Sequence, residues 1–72
     1  MTKIEIIELL KEEERVVKTE MTRLTALGLL INELKEVEEE DKMEAIKDIN
    51  DARGDLNDAL QWIGFARKDI ER

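Results

Sequence analysis

The stretch INDARGDLNDALQWIGFARKDI, residues 49–70, decides the fold. Within it Ile49, Ala52, Leu56, Ala59, Ile63, Ala66 and Ile70 recur at alternating steps of three and four, which draws one apolar seam along a helix. Small alanine alternates there with large Ile and Leu, a pattern shaped for close and regular packing against a second helix. That helix comes from the same chain or from another copy.

Upstream, a matching seam reads Val17, Met21, Leu24, Leu27, Ile31, Leu34 and Val37. No proline interrupts it. Thr2 followed by Glu5 has the spacing of a capping box, in which the two side chains satisfy free backbone N–H groups at a helix start. Asp41 and Glu44 repeat that spacing, just after the acidic cluster Glu38 to Asp41. The sequence therefore predicts an all-α protein: a first helix over about residues 2–38, a turn over about 39–41 and a second helix over about 42–71. The arms form one long antiparallel helical hairpin with coiled-coil-like packing, each arm roughly 45 to 55 Å long.

Seventy-two residues make one small domain, with little apolar surface to bury alone. An oligomeric helical bundle is the expected remedy. A second apolar cluster, Ile4, Ile6, Ile7, Leu9 and Leu10, is set off from the main seam by the charged run Lys11 to Arg15. In a hairpin with a longer first arm this segment overhangs. Leu29 and Leu30 beside Ile31 widen the apolar surface beyond what one partner helix covers. Ile4, Ile7, Leu10, Leu30 and Phe65 are accordingly expected at an interface between copies.

Composition excludes several chemistries. The chain has no cysteine, histidine or serine, so disulfides, the common zinc sites and Ser/His or Cys/His relays are absent. No apolar run approaches the ~20 residues that span a bilayer, and no basic segment followed by a long apolar core marks secretion. A cytoplasmic protein is expected. Its net charge of −7 disfavours DNA, RNA and anionic lipid, which are held by an excess of Lys and Arg. A charged, soluble helical surface accounts for such acidity.

Gly28, Gly54 and Gly64 fall inside helical pattern, where each costs about 1 kcal/mol relative to alanine. Close helix contact, or room for a ligand beside the backbone, offsets that. Trp62 and Phe65, the only aromatic residues, sit on the shoulder of the seam, either covering its edge in an oligomer or, for the indole, stacking on a planar base. Glu33 and Glu36 are three apart, as are Asp55 and Asp58, and facing pairs of this kind suit Mg²⁺. Their spacing resembles the two acidic motifs of the all-α nucleotide pyrophosphohydrolases of the MazG type, although the second motif of that family begins with Glu. That resemblance implies a magnesium-dependent hydrolase. The bland reading of the same pairs is solvated surface.

The segment from Ala52 to Ala66 carries a second resemblance, through Ala52, Arg53, Asp55, Leu56, Ala59, Trp62 and Ala66. It resembles the C-terminal helix of small phage hairpin proteins that act as anti-CBASS and anti-Thoeris sponges. The resemblance covers about a fifth of the chain. It implies a non-enzymatic counter-defence protein in the host cytoplasm, sequestering cyclic nucleotide immune signals between subunits without cleaving them. No catalytic residue, metal or cofactor is expected on this reading. Phosphates need guanidinium or ammonium groups, and flat bases need an aromatic or apolar wall. Arg53 and Trp62 are the central candidates, with Lys47, Arg67, Lys18 and Arg23 as helpers. Thr19, Thr22 and Thr25 offer hydroxyls. An alternative of another class is an acidic helical adaptor or inhibitor that docks its apolar face on a host protein.

Overall fold

A computed structural model of the chain describes all residues, 1–72. It contains two helices, α1 (Lys3–Asn32) and α2 (Glu39–Glu71), packed antiparallel into a rod whose Cα extents are 53 × 14 × 13 Å. The all-α hairpin expected from the seam is the fold.

Thr2 opens α1 with the capping box its spacing predicts. Its Oγ accepts a hydrogen bond from the Glu5 N–H at 3.2 Å, and its own N–H donates to Glu5 Oε1 at 3.3 Å. The second expected start differs. The N-cap of α2 is Glu38, which makes no side-chain cap, and Glu39, Glu40 and Asp41 form the first turn, where the positive end of the helix dipole favours carboxylates. The connection is therefore residues 33–38 rather than 39–41, and α1 ends at Asn32 rather than near Glu38. The Glu33 and Leu34 N–H groups donate back to Leu30 and Ile31 O, both at 3.1 Å, tightening the last turn. Leu34 and Val37, expected on the seam, lie exposed in the connection.

With α1 at 30 residues and α2 at 33, the N-terminal segment does not overhang. Lys3 Nζ donates to Arg72 O at 3.1 Å, so the two termini meet. Ile7 and Leu10, expected between copies, are half-buried residues of the hairpin's own seam, whereas Ile4, Leu30 and Phe65 are exposed.

On α1 the seam is Ile7, Leu10, Glu14, Val17, Met21, Leu24, Gly28 and Ile31, all at least half-buried and spaced by three and four without a slip. Two members differ from the expected set. Gly28 stands in the seam where Leu27 was expected, with its backbone placed so that an added Cβ would meet Ile49 Cγ2 at an ordinary contact distance of 3.9 Å. Glu14 carries the seam through the charged run, because Arg67 meets it from α2. On α2 the seam follows Lys42, Ala45, Ile49, Ala52, Leu56, Ala59 and Ile63. It then moves to Arg67, leaving Ala66 and Ile70 exposed.

Candidate functional site

The seam divides the rod into two sides. Residues that follow the seam positions line an open groove of about 290 Å³, in which Thr25, Gly28, Leu29 and Asn32 of α1 face Ile46, Asn50 and Arg53 of α2. The same row continues along α1 through Thr22, Lys18 and Lys11, because steps of three and four keep residues on one face. Residues that precede the seam positions occupy the opposite side. On α2 these are Glu44, Asp48, Asp51, Asp55 and Asp58, then Trp62, Phe65 and Asp69. On α1 they include Leu9, Val16, Leu27 and Leu30, each exposed by about half.

Arg53 is the best-placed candidate. It is half-buried, makes no ion pair, and its Nε is buried without a hydrogen-bond partner. Around it stand the amides of Asn32 and Asn50 and the hydroxyl of Thr25, with no carboxylate in the groove. Thr22 and Thr25 donate their hydroxyl hydrogens to Lys18 O and Met21 O, at 3.2 and 3.1 Å, which leaves the oxygen lone pairs to accept. Lys18 is exposed and unpaired on the same side. A groove with a guanidinium, two amides and a hydroxyl is chemically a receptor for an oxyanion such as phosphate.

Of the candidate contacts only Arg53 and Thr25 line the groove; Lys18 and Thr22 lie on the same side of the rod, farther along α1, and the others lie elsewhere. Trp62 follows Arg53 by nine residues, which is half a turn around the helix and about 13 Å along it. The two therefore lie on opposite sides of one hairpin. Trp62 is 69% exposed, and its ring meets Phe65 edge-on with centroids 5.8 Å apart. Arg23 sits on the Trp62 side and pairs with Glu20 at 3.6 Å. Lys47 points outward and pairs with Asp51 at 3.7 Å.

Arg67 is taken up by carboxylates. Its Nε donates to Glu14 Oε1 at 2.5 Å and its Nη1 to Glu71 Oε1 at 2.6 Å. The hydrogen bond from Arg67 holds the Glu14 carboxyl below its ordinary value, an effect that burial partly opposes. Hydrogen bonds to Glu14 and then Glu71 raise the guanidinium in turn. Gly64 lies opposite, where a Cβ would come within 4.0 Å of Glu14 Oε2. This pair escaped the sequence reading because Glu14 looks like one acid in a charged run. Its signal was the spacing from Leu10 to Val17, which leaves the intervening seam position to Glu14.

The carboxylate pairs do not converge. Glu33 caps the end of α1 and Glu36 lies in the connection, while Asp55 and Asp58 are two turns or more along α2 from the stretch that faces that end. No three acids come together in a metal-binding arrangement. Gly28 borders the groove, whereas Gly54 faces open space. No helix is long and apolar enough to cross a membrane. Comparison of the chain with protein-family models, characterised proteins and solved structures finds no match.

Proposed function

We propose that this protein binds a small phosphate-bearing ligand without transforming it, and that the ligand is a cyclic nucleotide signal held where copies of the hairpin meet. The observation that carries this reading is Arg53: a cation free of any ion pair, with Nε unpartnered, in a groove of amides and a hydroxyl with no acid present. The Ala52 to Ala66 resemblance to phage counter-defence sponges supplies the ligand class. A base-stacking role for Trp62 in the same pocket requires a second copy, because Arg53 and Trp62 of one chain face apart.

Native mass spectrometry with cyclic di- and trinucleotides and cyclic ADP-ribose species tests the proposal. Intact ligand is expected at fixed stoichiometry, and Arg53→Ala is expected to remove it from a protein that stays helical. Absence of binding across the panel, or unchanged binding by Arg53→Ala, overturns it. A second reading, an adaptor that docks on a host protein, is favoured by the exposed row Leu9, Val16, Leu27 and Leu30. It loses that support if copies of the chain cover the row.

A further inference from the structure

The groove side is richer in cations, although it also carries Glu8 and the exposed Leu29, and the opposite side is richer in acids and exposed apolar side chains, with Arg23 its cation on α1. Lys11, Lys18 and Arg53 stand on the groove side, and the latter two make no ion pair. On the opposite side Asp48, Asp55 and Asp58 are likewise unpaired, in a row of α2 that contains no cation from Glu44 to Asp69. The spacings correspond as well. Lys11 and Lys18 are seven residues apart, as are Asp48 and Asp55, so both rows repeat every ~10 Å along the rod.

The exposed area also calls for a cover. The chain exposes 5728 Å², against roughly 4,600 Å² for a compact monomer of its mass. The excess of roughly 1,100 Å² is comparable to the ~800 Å² that each partner hides in a standard interface. Only Val17 is buried in the single hairpin, at 7% exposure.

We infer that a second copy of this chain covers the acidic, Trp62-bearing side with its cationic groove side. Two acidic sides facing each other would set Asp48, Asp55 and Asp58 against their own equivalents, which like-charge repulsion opposes. Cationic against acidic joins unlike charges and covers Leu9, Val16 and Leu30 in the same contact. Such a contact is head-to-tail in kind: each copy uses both sides, and the assembly closes into a ring or extends. It brings Arg53 of one copy and Trp62 of the next into one interface, the juxtaposition that a single hairpin forbids. The inference stands on charge and exposed area and does not depend on any nucleotide.

Charge exchange tests it, read by sedimentation velocity and native mass spectrometry without nucleotide, with helicity checked by circular dichroism. Wild-type protein is expected to associate, and less so at high salt. The triple variant Lys11→Glu, Lys18→Glu, Arg53→Glu is expected to be monomeric, as is Asp48→Lys, Asp55→Lys, Asp58→Lys. An equimolar mixture of the two is expected to regain the assembly. If either triple perturbs folding, Lys18→Glu and Asp55→Lys replace them at exposed positions, with the salt response of wild type as the second readout. A monomeric wild type, a cation-reversed variant that keeps the wild-type mass, or a mixture that stays dissociated overturns the inference.

Discussion

Glu14 and Arg67, 53 residues apart in sequence, meet across the seam with Nε 2.5 Å from Oε1, beside Gly64, which leaves the carboxylate its space. An ion pair at a seam position sets register more sharply than an apolar contact does, because a slip of one turn would leave a half-buried carboxylate without its partner. The pair therefore aligns the arms that place Arg53 opposite Thr25 and Asn32.

The acid limb of stability should follow from this pair. Because Arg67 lowers the Glu14 value in the folded chain, the unfolded chain binds the proton more readily, and stability falls as pH drops below the ordinary carboxyl value near 4.5. Thermal melts from pH 6 to pH 3 are expected to show that fall in wild type and a shallower one in Glu14→Gln. Equal slopes would show that Glu14 contributes nothing to the acid limb.

Val17 is the one buried residue, at 7% exposure. Val17→Ala removes the equivalent of two buried CH₂ groups, or about 1.5 kcal/mol. For a chain of this length that corresponds to a Tm lower by roughly 6–12 °C. Melts at fixed protein concentration check this, since association would shift Tm as well.

A methyl group at Gly54 would meet nothing within 4 Å, so alanine there gains helix propensity at no steric cost. Gly54→Ala is expected to stabilise by about 0.5–1 kcal/mol in urea titration. Gly28→Ala meets Ile49 only at ordinary contact distance and should also stabilise, but it narrows the groove beside Arg53. A weaker nucleotide affinity together with a higher urea midpoint is the expected signature.

Thr2→Ala removes the hydroxyl half of the α1 capping box, the acceptor of the Glu5 N–H, and leaves the residue-2 N–H donating to Glu5. The expected loss is about 1 kcal/mol, and hydrogen exchange should quicken first at the amides of Glu5 and Ile6, which lean on Thr2.

The sequence by itself determined that there are two helices, that they form a hairpin, and how α1 begins. Each of these follows from spacing within a turn or two: the Thr2–Glu5 cap, the steps of three and four from Ile49 to Ile63, the absence of proline. It also put Lys18 and Thr22 in one row of α1, since residues four apart share a face whatever lies opposite. Tertiary structure alone decided where the chain turns, because acids that look like a break also suit the first turn of α2. It alone set Gly28 rather than Leu27 against Ile49, gave Glu14 its partner, engaged Arg67 with Glu14 and Glu71 and added Asn32 and Asn50 to the groove. Those outcomes depend on the register between two long arms, which is fixed by contacts between residues tens of positions apart.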